Sequence, residues 1–561
     1  MTRVELVARH APATLVLDGE HLALADLVRI ARDGAGIALG DEAAARVAAA
    51  RARLDHIARG GERLYGLNTG VGALEREWRR DGARGGGDRD RGDDRDRGDD
   101  RDRGDDRDRG GEGECDRGGD RGGDDRANDR DRDGRQEALL RSHAAGVGPP
   151  MRDDQVRAML AVRAGQLARG RSGIAPATLA ALIEVINRGV LPVVPEAGSV
   201  GASDLAPLAH AALVLIGEGR ARAPGGPVES GRAALAAVGL APARLTGRDA
   251  LALVNGLAQT VAIGGLATWD ARRLVGACEA VGALSLCALR APADFLDPRL
   301  AREKRHAGQE ESTRRTRELI GAARAAGPTA GLLRAPLSLR YAPQNAGAAR
   351  TALDLAERVV AAEIDAAVDN PFLDPDGFVT SNSPLTGGQE LAQAFDVLAI
   401  ALTSLAVASE RRTAALLDDR MSGLPAFLRH PRSRAGVDSG LMIAQYTAAA
   451  LVAEMRARGG AASVQSIPTC AGVEDHVSMC SIAARHAAWA VERAETVAAI
   501  ELLSAAQAAD LAGQPLPARL APLHAAVRAR VPLHIEDRLL ADDIQSALVA
   551  VREIEPAALL A

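Results

Sequence analysis

Residues 198–210, GSVGASDLAPLAH, crowd small side chains ahead of Ser203 and Asp204 and then turn apolar. Three chemistries suit such a stretch. Ser203 or Asp204 would cap a helix beginning near Leu205, a side-chain oxygen accepting one of the orphan N–H groups of its first turn. A phosphate cradle needs GxxxxGK[ST] or GxGxxG spacing, and neither is present. The third is a loop whose backbone is itself the reagent. The stretch alone does not choose between this and the cap.

The surrounding chain must supply the frame. Its 561 residues are 47% hydrophobic yet only 2% aromatic, so the core is built from Ala, Leu, Val and Ile. Such side chains favour helix and allow close helix–helix approach, which predicts a mostly α, elongated helical bundle with a smaller mixed N-terminal region. The net charge of −6 creates no field for nucleic acid or an anionic membrane. The five cysteines show no CxxC pairing and are odd in number, as expected in a reducing compartment rather than a disulfide framework. The N-terminus has no signal-type apolar core, so a cytoplasmic location is expected. The apolar windows 250–269 and 395–409 read as buried bundle helices: Asn255, Gln259 and a Gly pair interrupt the first, and the second is too short to span a membrane. Both windows are too extensive for an isolated surface and predict an oligomer.

Along the chain, a short strand-rich start leads into a helix with apolar spacing at 42–58, then the Gly- and Asn-punctuated loop RLYGLNTGVGAL at 63–74. Residues 92–109 are three copies of GDDRDR within an Arg/Asp/Gly stretch that has no apolar area to offset its ordering entropy, so disorder is expected there. The interleaved Asp cancels the Arg charge that RNA binding would use. From 136 onward the pattern is helical, with Gly stops after 151–169, 175–188 and 485–512. The division expected is 1–80 for the N-terminal region with the tyrosine loop, 81–135 for the insert, 136–480 for the core and 481–561 for C-terminal helices.

Eleven segments in order, YGLNTGVG (65–72), LLRSHAAGVG (139–148), GSVGASDLAPLAH, ALVNG (252–256), HAGQ (306–309), SLRYAPQ (338–344), DNPF (369–372), SERR (409–412), SGLPAFL (422–428), GLMIAQYTAAAL (440–451) and EDHVSM (474–479), resemble the histidine and aromatic amino-acid ammonia-lyases. RSH at 141–143 and EDHVSM are more similar to the histidine branch. The resemblance implies an ammonia-lyase/fumarase-like bundle and conversion of L-histidine to urocanate and ammonia. It further implies an electrophile, methylidene-imidazolone (MIO), made by cyclisation of an Ala-Ser-Gly tripeptide, with no metal or diffusible cofactor. Carried over, Ala202, Ser203 and the following residue would form MIO and Tyr65 would be the β-proton base. His143 would line the substrate pocket, Asn255 would contact MIO, Arg340 would bind the substrate carboxylate, Gln344 of the same Arg-x-x-x-Gln segment would also bind substrate, and Glu474 would face an imidazole. Each has a plainer reading as well: a loop tyrosine packing on a helix, a buried histidine, a surface ion pair. It also implies a homotetramer in which each site draws on three chains, with Tyr65 and Ser203, Arg340, and the 381–389 loop coming from different subunits.

Three departures stand out. The tripeptide reads Ala202-Ser203-Asp204, one residue short, so the attacking nitrogen belongs to Asp204, which carries a Cβ and a charge. Leu337 stands where the family has a tyrosine, and SNSPLTGGQELAQAFD (381–396) replaces a Gly-Asn-Phe-His-Gly-Gln type loop, keeping Gln389 and Asn382. These leave open a silent paralogue serving as a helical scaffold, or a lyase or aminomutase for another aromatic amino acid.

Overall fold

The computed structural model describes residues 14–60, 62–76, 124–321 and 333–560. Strand Leu15–Leu17 pairs in parallel with Ile37–Leu39 across the intervening helix Leu24–Arg32. Helix Asp41–Gly60 follows, with Asp41 and Glu42 in the first turn, where they complement the helix dipole. Its Ala43, Val47, Leu54 and Ile57 recur at helical spacing and face inward. This is the mixed start that the sequence predicts.

Four long helices make the centre: Ala258–Ala288, Ala342–Ile364, Gln389–Leu417 and Cys480–Ala512. The last is 33 residues, about 50 Å at 1.5 Å per residue. It packs along both the 258–288 and 389–417 helices, and the 342–364 helix closes the other side of that pair. The expected boundary at 480/481 therefore falls at the start of a central helix, and the final segment helps to complete the core. Small residues permit the close packing: a Cβ on Gly264 would lie 2.0 Å from Phe395, so that ring fills a notch only glycine leaves. Buried ion pairs fix the register. Glu501 takes Arg412 at 2.5 and 2.7 Å and Ser285 at 2.7 Å, while Glu279 takes Arg315 at 2.9 Å and Arg350 at 2.6 Å. Removing one partner of such a pair would strand a charge in the core.

The predicted helix stops are present, with Gly170 and Gly189 at φ 69° and Gly513 at φ 62°. The 250–269 window is interrupted at Asn255: Asp249–Val254 ends there, and a second helix begins at Ala258. Three expectations need correction. The 395–409 window belongs to a 29-residue helix and is not too short to span. The stretches Asp249–Ala288 and Gln389–Leu417 are both long and apolar enough to cross a membrane, with mean hydropathy 1.6 and 1.8. The most apolar 18 residues of the first are wholly buried inside the chain, although Trp269 in that stretch is 36% exposed, and those of the second are 56% buried. The oligomer argument from the first window therefore fails, because its apolar surface is satisfied within one chain. The expected insert lies outside the described residues as far as 123; its end, expected to be disordered to 135, enters helix Asp124–His143. That helix is anchored by buried Leu140 and by Gln136, whose Oε1 accepts the Ala250 N–H at 2.9 Å.

Candidate active site

The loop 198–204 joins strand Pro195–Ala197 to helix Leu205–Leu215, and that strand pairs with Val147–Pro150 just beyond His143. Four helices begin around the loop. Leu205–Leu215 starts from it directly. The 389–417 helix is preceded by Thr386, whose carbonyl accepts the Ser203 N–H at 3.0 Å, and by Gly387, which bridges Ala202. The 480–512 helix is preceded by Met479 and Ser478, which donate to the carbonyls of Val200 and Gly201 at 2.8 Å each. The 258–288 helix offers the Thr260 N–H to Asp204 Oδ2 at 2.8 Å. Converging N-termini favour negative charge at this point.

Ser203 is 3% exposed and sits at φ 63°, a left-handed conformation that a non-glycine residue adopts only when its surroundings impose it. Its hydroxyl donates to Asn255 Oδ1 at 2.6 Å. Asn255 Nδ2 in turn donates to the Asn370 carbonyl at 2.8 Å and to Asp369 Oδ1 at 3.3 Å, and Asp369 is paired with Arg248 at 2.8 Å. Asn255 does not sit within an apolar helix as its sequence setting suggested. It occupies the break between two helices, where its amide can reach both ways.

Asp204 is the N-cap of helix Leu205–Leu215 by position, yet its side chain makes no capping bond. The carboxylate accepts from Ser199 Oγ at 2.6 Å, from Thr260 Oγ1 at 3.1 Å and from the Thr260 N–H. It is fully buried, and burial pushes its pKa up to about 6, the bonds from Ser199 and Thr260 opposing. Glu363 is pushed up to about 7 by burial and then by Glu390 and Asp204. The Asp204 N–H donates to the Gly256 carbonyl at 2.6 Å. Behind the loop lies the buried Cys480, its thiol pushed up to about 12 by burial and then by Asp204. Its Sγ is 3.4 Å from Thr260 Oγ1, and it would lie 2.8 Å from a Cβ on Gly201 and 2.6 Å from one on Gly388.

These contacts test whether the loop suits MIO. The nitrogen required to attack the Ala202 carbonyl is engaged with Gly256, and its residue is fastened by a carboxylate to two side chains and a helix start. Cyclisation would have to break these together, so Ala202-Ser203-Asp204 as described does not fit the group.

Tyr65 is half-buried near this loop: its N–H donates to Ser381 Oγ at 3.2 Å, and its hydroxyl oxygen accepts the Gly72 N–H at 2.8 Å. Thus 381–389 touches both Tyr65 and Ser203 inside one chain, correcting the expectation that this loop comes from another subunit. Gln389 Nε2 donates to the Ser463 carbonyl at 3.4 Å, while Asn382 is exposed. His143 ends its helix with Nδ1 at 2.9 Å from the Leu139 carbonyl and at 3.0 Å from Ser142 Oγ. His143 lines a cleft of about 560 Å³ with Gly66, Asn68, Val71 and Thr246. Glu474 Oε2 accepts from Thr469 Oγ1 at 2.9 Å, and the adjacent Cys470 accepts the Ala73 N–H of the tyrosine loop at 3.0 Å.

Arg340 and Gln344 are elsewhere. Arg340 ends the short helix Leu337–Arg340, and Gln344 is half-buried in the first turn of the 342–364 helix. The Ser338 carbonyl meets Arg412 at 3.4 Å, which lies about six turns, or some 35 Å, up the 389–417 helix from its start beside Ser203. Arg340 stacks over Tyr341 at 5.1 Å, and its buried Nε has no partner among the described residues. Leu337 is 52% exposed and lines a groove of about 580 Å³ with Tyr341, Ile400, Thr403 and Val407. One chain does not bring these residues to Ser203.

Sequence reasoning missed Ser199, Thr260, Asp369, Cys470 and Cys480. Ser199 and Asp369 lie within segments that were singled out, and Thr260 is a polar residue in an apolar run. The cysteines carried no signal beyond standing beside EDHVSM. Cys278, Cys287, Cys470 and Cys480 are free; Cys115 lies outside the described residues. Among the described residues no group of three or more His, Cys, Asp or Glu is placed to hold a metal.

Residues 22–532 match the family model for aromatic amino acid lyases. The chain is 39% identical over 535 residues to histidine ammonia-lyase of Symbiobacterium thermophilum, covering 94% of each. It is 41% identical over 553 residues to the enzyme of that name from Anaeromyxobacter dehalogenans, covering 96% of this chain and 99% of the relative. Among solved structures, histidine ammonia-lyase from Trypanosoma cruzi superposes with TM-score 0.81 at 32% identity, over 98% of this chain and 95% of that one. A tyrosine aminomutase from Streptomyces globisporus does so with TM-score 0.83 at 30% identity, over 98% of both.

Proposed function

Because the chain belongs to the aromatic amino acid lyase family, we propose that its site is built for non-oxidative deamination of L-histidine to urocanate and ammonia, and that the shortened loop leaves this activity weak or absent. The observation that carries the reading is the meeting of Ser203, the Tyr65 loop and the Glu474 loop around one set of helix N-termini. Tyr65 is our candidate base for the β-proton, and the Gly72 N–H, which donates to its hydroxyl oxygen, supports that role by orienting it. Glu474 and His143 Nε2 are the polar groups for an imidazole. The carboxylate falls to Arg340 and Gln344, whose distance from Ser203 within one chain calls for a second copy.

Support for a homotetramer with shared sites comes from that separation, from the partnerless Arg340 Nε, and from exposed Leu337, Tyr341 and Ile400 around the groove. The substrate is a small amino acid; no nucleic acid or membrane enters, and we infer a cytoplasmic location.

A second reading has its own observation. The Asp204 N–H at 2.6 Å from the Gly256 carbonyl suits a loop that stays uncyclised, and then the protein is a helical scaffold of the same family. The tyrosine aminomutase likeness keeps another aromatic amino acid as the third. One experiment separates them: the intact mass of the purified protein, with urocanate followed by ultraviolet absorbance on L-histidine and cinnamate-type products on phenylalanine and tyrosine. A mass short by two waters with urocanate formation establishes the lyase. An unmodified mass with no product from any of the three leaves the impaired lyase and the scaffold, and urocanate from a variant with glycine inserted between Ser203 and Asp204 decides for the lyase.

A further inference from the structure

The loops that carry Tyr65 and Glu474 are far apart in sequence and hydrogen-bonded in space. In the first, the Gly72 N–H donates to the Tyr65 hydroxyl oxygen at 2.8 Å, and the next amide, Ala73, donates to Cys470 Sγ at 3.0 Å. In the second, the residue before Cys470 is tied twice to Glu474: the Thr469 N–H reaches the Glu474 carbonyl at 2.9 Å, and Thr469 Oγ1 reaches Glu474 Oε2 at 2.9 Å. The two loops also fit closely. A Cβ on Gly72 would lie 2.5 Å from Cys470 Sγ, so the contact exists only because position 72 is glycine, here at φ 62°.

The second loop is held in an unfavourable backbone state. Cys470 and Ala471 have φ of 54° and 52°, a consecutive left-handed pair in non-glycine residues. The Thr469–Glu474 bridge spans that pair, so a change at the Glu474 carboxylate acts directly on the turn that presents the thiol.

We propose that Cys470 is a positioning residue that clasps the Tyr65 loop to the Glu474 loop, so that an imidazole engaged by Glu474 orders the tyrosine as well. The chain of contacts runs from Glu474 through Thr469 and Cys470 to Ala73, Gly72 and the Tyr65 hydroxyl. It rests on the substrate reading above for the identity of the ligand, and on the contacts alone for the clasp. Serine at 470 keeps an acceptor for the Ala73 N–H; alanine removes it.

The test is amide hydrogen exchange on the full chain, with urocanate as the probe. Without ligand, Cys470→Ala should exchange Ala73 about 3- to 10-fold faster than wild type, as expected for one lost hydrogen bond. Cys470→Ser should recover most of that protection, and exchange in the 258–288 helix should not change. With urocanate, wild type should gain protection in both 65–76 and 469–476, while Cys470→Ala gains it only in 469–476. Unchanged Ala73 exchange in Cys470→Ala overturns the clasp. Equal ligand protection of 65–76 with and without the thiol overturns the coupling. If urocanate protects neither loop in wild type, the histidine reading fails, and the ligand-free comparison still decides the clasp.

Discussion

Insertion of glycine between Ser203 and Asp204 is the perturbation that bears most directly on the loop. The structure says it will not act alone. Cys480 Sγ would lie 2.8 Å from a Cβ on Gly201 and 2.6 Å from one on Gly388, so no slack exists on either side of the thiol. An added residue must push against it. Overpacking of a tight core costs ~1–3 kcal/mol, and ordering one more residue costs ~1–2 kcal/mol. The insertion should therefore destabilise by ~2–5 kcal/mol, and Cys480→Ala, which deletes only Sγ, should return the overpacking share. The insertion moves the Asp204 N–H away from the Gly256 carbonyl and supplies a nitrogen without a Cβ neighbour. Intact mass spectrometry then reads cyclisation as the loss of two waters. Wild type should be unmodified, the insertion alone incompletely modified, and the insertion with Cys480→Ala most fully modified and the source of urocanate. Leu337→Tyr should do almost nothing by itself and add to the rate once the glycine is present. A wild-type mass already short by two waters would refute the reasoning, because Asp204 would then cyclise despite its Cβ and its bond to Gly256. Full modification by the insertion alone would refute the role given to Cys480.

Asp204 should leave a signature in pH. Its folded pKa, about 6, is above the ordinary 3.8, so folding disfavours its charged form: its contribution to stability is fully present below about pH 4 and is lost as pH rises through 6. Two units correspond to about 3 kcal/mol. Asp204→Asn cannot ionise, so its stability relative to wild type should rise by up to about that amount between pH 4 and 7 in denaturant titrations; a pH-independent difference would contradict the burial argument. Asn255→Ala strands the Ser203 hydroxyl and part of Asp369 and should cost ~1–3 kcal/mol by the same measurement; a loss below 0.5 kcal/mol would mean that the network is not coupled. In a glycine-repaired background, Ser203→Ala and Arg340→Ala should each abolish urocanate formation, and co-assembly of the two should restore part of it, because their sound residues meet across subunits. No recovery in verified mixed oligomers would place both residues in one chain's site.

Much of this protein is written in short-range pattern. Ala-rich periodic runs closed by Gly170, Gly189 and Gly513 specify helices locally, because propensity and the left-handed stop act within a few residues. The order of the motifs likewise identifies the family without coordinates, and the missing residue after Ser203 is visible by inspection. What the tertiary structure decided is how distant pieces share one place. Asn255 looks like a polar intruder in an apolar helix, yet it stands at the end of that helix, where its Oδ1 accepts from Ser203 and its Nδ2 donates to the Asn370 carbonyl. Asp204 looks like a cap, yet Ser199 and Thr260 take its carboxylate. The 250–269 window looks like surface for a partner, yet the chain's own helices cover it. Arg340 and Ser203 belong to one motif series, yet the length of the 389–417 helix holds them apart. The Ser203–Asn255, Thr260–Asp204 and Asn255–Asn370 contacts join residues 52, 56 and 115 apart, and local propensity carries no term for such a contact.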